Sequence, residues 1–142
     1  MLFSEDRSAL RRMYAEAWRR AREGLPLEPL QVQIVQLVEA HPEYHALLED
    51  AASIDRDWTP EQGDTNPYLH LSLHLAIREQ CSTDRPAGIA ALRERLAERL
   101  GDPHGAEHAM IEVLGAALWE AQRAGRAPDE AAYLERLRQL LT

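Results

Sequence analysis

Asn66-Pro67-Tyr68-Leu69-His70-Leu71-Ser72-Leu73-His74-Leu75-Ala76-Ile77-Arg78-Glu79-Gln80 is the stretch on which the reading of this chain turns. Asn66 can cap a helix, and Pro67 suits a first turn, where the missing N–H has no partner to lose. From Tyr68 onward the run is apolar on nearly every side, the pattern of a helix surrounded by protein, and the predicted helix covers 67–81. His70 and His74 stand four apart on one of its faces, with Cys81 near that face one turn beyond Ile77. Two imidazoles on a core helix call for partners.

Toward the N-terminus, Ser4 followed by Glu5 and Asp6 reads as a helix start, a capping hydroxyl and then acids that complement the helix dipole. Leu10, Tyr14, Ala17 and Trp18 recur at helical spacing until Gly24 and Pro26 end the helix. A second helix is expected from about Leu27, turning Leu30, Ile34, Leu37 and Val38 inward and stopping before Pro42. Pro42 opens a short third helix, from His41 to about Leu48, in which Glu43 complements the dipole. Residues 50–65 show little periodicity and read as an irregular acidic loop holding Trp58.

Beyond the central stretch, residues 82–86 form a turn, and Ile89, Leu92, Leu96 and Leu100 mark the inner stripe of the next helix. Gly101 stops it and Asp102-Pro103 starts another, which carries Met110, Ile111, Leu114, Ala117 and Leu118 inward until Gly125. Pro128 opens a last helix with Tyr133, Leu134, Leu137 and Leu141. No segment alternates as a strand does. The expected fold is all-α, a single-domain irregular bundle of five to seven helices over residues 1–142.

At 142 residues the chain suits one domain with a real core, and its apolar fraction of 45% is ordinary for a soluble protein. No apolar run of membrane-spanning length and no basic-then-apolar leader occur, and the lone cysteine excludes an internal disulfide, so a cytoplasmic location is expected. The net charge of −8 argues against nucleic-acid binding. All sixteen basic residues are arginine, read here as composition bias. Six of them fall between Arg7 and Arg22, while residues 39–64 carry eight acids against Arg56. Charge matching within the chain is the plainer expectation; an acidic protein partner for the Arg-rich first helix is the second.

All six histidines form His-x-x-x-His pairs, 41/45, 70/74 and 104/108. Random placement would produce roughly 0.2 such pairs. On a helix this spacing puts both rings on one face, the commonest helical metal clamp. The first and last pairs continue as His-x-x-x-His-Ala-apolar-apolar-Glu, reaching Glu49 and Glu112, whereas the central helix has Arg78 there with Glu79 beside it. Pairs near helix starts feel the positive end of the dipole, which favours the neutral, metal-binding imidazole. Glu107, between His104 and His108, shares the stripe of Ile111 and Leu114 and so needs a partner.

These residues support two readings. In the first, His70 and His74 are the central ligands, joined by His104, His108, His41 and His45, with Glu112 or Glu107 as carboxylate, and the cofactor is zinc, iron or manganese. An open position on such a metal would activate water, and an iron pair would meet oxygen. In the second, the protein is a non-catalytic interaction module whose histidines and carboxylates form a structural network. Cys81 then reads as a small buried hydrophobe, and Trp18, Trp58 and Trp119 as core or loop anchors. A solenoid of repeats lacks any supporting pattern between the pairs.

The stretch 66–77, together with His41-Pro42-Glu43-Tyr44-His45, Asp84-Arg85-Pro86-Ala87-Gly88-Ile89 and Glu107-His108-Ala109-Met110, resembles a bacterial family of short conserved proteins, the domain-of-unknown-function family eighteen forty-one. The resemblance covers most of the chain and implies a small soluble protein with no assigned activity. A looser likeness, in spacing alone, runs to hemerythrin-like metal-binding bundles, and fold analogy does not transfer function.

Overall fold

Apolar side chains recur every three or four positions along most of the chain, and each such run forms a helix. In a computed structural model, which describes residues 2–58 and 66–142 and their side chains from Arg7 onward, these are α1 (Leu2–Arg22), α2 (Pro29–Glu39), α3 (His45–Leu48), α4 (Pro67–Thr83), α5 (Ile89–Leu100), α6 (Pro103–Ala124) and α7 (Glu130–Gln139), with 3₁₀ turns at Pro42–Tyr44 and Ala51–Asp55. The described residues hold seven α-helices and no strand, so the all-α expectation holds. Two compact units divide the chain, Met1–Ser72 and Leu73–Thr142, the division falling inside α4.

In the first unit α1 packs against α2, α3 and the turn Ala51–Asp55. Tyr14, Ala17 and Trp18 of α1 and Ile34, Leu37 and Val38 of α2 are buried, as their spacing predicted. The Tyr14 hydroxyl donates to Ser72 Oγ (2.7 Å), whose own proton goes to the Tyr68 carbonyl (2.8 Å), and the Tyr14 and Tyr68 rings stack at 6.2 Å. Tyr68 OH in turn shares a hydrogen with Ser53 Oγ at 2.7 Å.

The second unit is built on Ile77 of α4, Ile89, Leu92 and Leu96 of α5, Met110, Ile111 and Leu114 of α6, and Tyr133 and Leu137 of α7. Its helices are punctuated as the polar residues suggested. Asp102 Oδ1 accepts the His104 N–H (3.1 Å) at the start of α6, and Gly101 and Gly125 take the left-handed conformation that ends α5 and α6. Asp129, rather than Pro128, caps α7 through the Ala132 N–H.

Several expectations shift. The Asn66 cap is present, its side chain accepting from Tyr68 N and Leu69 N, but α4 runs on to Thr83, the Ser82 and Thr83 hydroxyls donating back to the Glu79 carbonyl. Nor is α4 covered all round. Tyr68, Leu71, His74 and Ile77 make a buried stripe, while Leu69 is 55% exposed. Leu10, Leu30, Leu100 and Leu118, expected inside, are exposed as well. Ser4 lies within α1, which already runs from Leu2, and α2 starts at Pro29, where Gln31 Oε1 accepts the Glu28 N–H. Of the expected acidic loop, residues 51–55 form a 3₁₀ turn capped by Asp50, and residues 59–65 lie outside the described residues.

Burial raises the pKa of all four tyrosines, Tyr14, Tyr44, Tyr68 and Tyr133, above the ordinary value of 10.0. The folded protein therefore keeps protons that the unfolded chain releases. Stability is fully present below the unfolded-chain value and falls as pH rises above it. Urea unfolding midpoints measured at increasing alkaline pH are expected to drop before phenolate absorbance develops in the folded protein.

Candidate metal centre

Asp102 caps α6 and Pro103 fills its first position, so the turns that carry His104 and His108 begin at the positive end of the helix. The residues are one turn apart, and their rings lie 4.2 Å apart between centroids. His74, fully buried on α4, stacks on His104 at 5.4 Å and tilts against His108 at 4.9 Å. The Nε2 atoms of His74 and His108 are 3.1 Å apart, and the ring nitrogens of His74, His104 and His108 lie within 4.8 Å of one another. Two imidazoles on a tetrahedral zinc have nitrogens ~3.3 Å apart, given metal–nitrogen bonds near 2.0–2.1 Å.

Glu107 determines which nitrogen of His74 is available. It is 2% exposed, and its Oε1 accepts from His74 Nδ1 at 2.7 Å and from Arg78 Nε at 3.0 Å. Its Oε2 accepts from an Arg93 guanidinium N–H at 3.2 Å. Burial pushes the carboxyl pKa up, but the hydrogen bond from His74 and the Arg78 charge outweigh it, and the net displacement is below the ordinary carboxylate value. An ionised Glu107 only accepts, so His74 Nδ1 carries the hydrogen, and in the neutral ring Nε2 keeps its lone pair. That lone pair is aimed at His108. A histidine held by a carboxylate through one nitrogen and presenting the other is a recurring metal-ligand arrangement.

The other histidines of the sequence-derived set belong to the first unit. His41 and His45, in the first unit, are separated by the 3₁₀ turn Pro42–Tyr44 rather than carried on one α-helix. Turning about 120° per residue instead of 100° spoils the one-face relation of positions four apart. His41 is buried, with Nδ1 2.7 Å from the Leu37 carbonyl, and stacks on Tyr44 and meets the edge of His70 at 5.2 Å. His45 uses Nε2 on the Val38 carbonyl at 2.8 Å and packs against Trp18. Glu49, which trails this pair, accepts from Trp18 Nε1, and Glu112, which trails the other, is exposed. Cys81 packs half-buried against the second unit's core, where burial raises its thiol pKa, so it is a small hydrophobe but not the fully buried one expected.

Arg78 and Arg93 were absent from the sequence-derived set. Both left a trace. Arg78 follows His74 by four and Leu71 by seven on the buried stripe, and Arg93 follows Ile89 by four beside Leu92 and Leu96. A cation on an apolar stripe signals a buried anion opposite, just as Glu107 signalled a buried partner.

The fold and this geometry define an all-α protein whose second helical unit holds a histidine cluster compatible with a metal site. The chain belongs to the family described as Domain of unknown function (DUF1841), which matches residues 6–139, nearly its whole length. No curated protein and no solved structure matches it. Among the described residues no helix is long and apolar enough to cross a membrane.

Proposed function

We propose that this protein binds a divalent transition metal ion through His74, His104 and His108. The observation that carries the reading is the 3.1 Å approach of two Nε2 atoms, one of them on a ring whose Nδ1 is already committed to a buried carboxylate. His74 Nε2 presents its lone pair there, so the approach is met either by a proton on His108 Nε2 or by a cation between the two rings. Three imidazoles occupy three positions of a tetrahedral ion. The fourth is left to water.

Protein purified without a histidine tag is expected to contain close to one equivalent of metal by elemental analysis. His108→Ala is expected to lose most of it, and His45→Ala to keep it. Metal-free protein that neither takes up zinc, iron or manganese nor gains thermal stability from them sinks the reading.

A second reading rests on Glu107 itself. Its three partners already satisfy the carboxylate, so the cluster can serve as a purely structural polar network, as in an interaction module. Under that reading His108→Ala lowers stability modestly and changes no metal content.

A further inference from the structure

The sequence pattern leaves open which metal the cluster would prefer, because it offers carboxylates beside the imidazoles. The geometry narrows this. Glu107, the acid in contact with the cluster, has both oxygens engaged, Oε1 by His74 and Arg78 and Oε2 by Arg93. Asp102 is committed to capping α6, and Glu112 is exposed. Among the described residues no carboxylate and no thiolate joins the group of ligand atoms close enough to share an ion; its members are imidazoles.

We infer that the centre is an all-imidazole site in which Glu107 positions His74 without touching the metal, and that it therefore takes zinc(II) or a similar late divalent ion and rejects manganese(II) and magnesium(II). The inference rests on the metal-binding reading above. Hard cations depend on anionic oxygen ligands, whereas imidazole suits the late first-row ions, whose affinity for nitrogen is higher. The surroundings sharpen the preference. Among the described residues Glu107 is the acid against the cluster, and Arg78 and Arg93 offset its charge. A cation entering here gains little from simple charge attraction and must be held by nitrogen–metal bonding.

Glu107 matters through orientation. With Nδ1–H of His74 held by a carboxylate at 2.7 Å, the ring cannot rotate or exchange tautomers without breaking a buried charge-assisted hydrogen bond. Loss of such an outer partner lowers metal affinity about 10- to 100-fold while leaving the ligand set intact.

The test is a titration of tag-free, metal-stripped full-length protein with zinc(II), cobalt(II), manganese(II) and magnesium(II) separately. Zinc and cobalt are expected to bind near one equivalent, cobalt developing the intense visible absorption of a low-coordinate nitrogen site. Manganese is expected to bind roughly 100-fold more weakly or not at all. Glu107→Gln is expected to bind one equivalent of zinc with an affinity reduced about 10- to 100-fold and an unchanged cobalt spectrum. Manganese affinity within about tenfold of zinc overturns the inference. So does a folded Glu107→Gln protein, verified by circular dichroism, whose cobalt spectrum changes in band position. Should that variant not fold, the wild-type metal series decides alone. Failure of zinc and cobalt to bind at all is a different outcome and overturns the metal-binding reading itself.

Discussion

Glu107→Ala is expected to destabilise the protein by about 3–5 kcal/mol, the cost of breaking a buried charged network by removing one partner. The carboxylate is 2% exposed and is the acceptor for His74, Arg78 and Arg93 at 2.7, 3.0 and 3.2 Å. Truncation leaves His74 Nδ1–H without its acceptor in a fully buried position and two partly buried guanidiniums without their anion. Urea unfolding followed by circular dichroism measures the loss, read from a lower midpoint at unchanged slope. Replacing Glu107, Arg78 and Arg93 together by apolar residues is expected to recover much of it, because no charge is then stranded. A Glu107→Ala protein as stable as wild type would show that the network contributes nothing to folding. The same ionisation sets an acid limit. The folded carboxyl lies below its ordinary value of 4.5, so its contribution is complete above that pH and is lost as pH falls through the folded value.

Arg11→Ala is expected to cost about 2–4 kcal/mol, from a different cause. Arg11 is 3% exposed on α1, and its guanidinium donates to the carbonyls of Ile54 and Arg56 at 2.9 and 2.8 Å. The same group lies over the rings of Trp58 and Tyr68, 5.1 and 5.2 Å from their centroids. One side chain thus ties down the backbone after the turn Ala51–Asp55. Arg11→Lys is expected to restore only part of the stability, because an ammonium cannot bridge two carbonyls while lying flat against two rings. Thermal unfolding of the two variants beside wild type checks the order. The expected charge matching of the first helix is present, though weak. Arg7 meets Asp57 at 3.3 Å and Arg22 approaches Glu49 at 3.6 Å, both exposed pairs of small worth, whereas the buried arginine is held by backbone and aromatic faces.

Periodicity and punctuation were enough for the helices. The stops at Gly101 and Gly125 and the start at Asp102 are dictated by backbone chemistry within a few residues, and nothing distant overrides them. The third helix was less legible. Pro42 does open a helical segment, but a tight 3₁₀ turn and an α turn look alike in a seven-residue window, and the relation of His41 to His45 depends on which one forms. The apolar run of α4 overstated its burial, because composition cannot say that Leu69 faces outward.

By itself, then, the sequence determined an all-α chain, the positions of most helix ends, and the presence of paired histidines with a glutamate that could not be buried alone. Those are properties of neighbours along the chain. Only the tertiary structure decided that His74 meets His104 and His108, that Glu107 orients a ring and is itself clamped by Arg78 and Arg93, and that Glu112 stands aside. Those relations join residues fourteen to thirty-four positions apart, on three different helices. Helical spacing states which side chains share a face; the packing of one face on another states which atoms come within bonding distance.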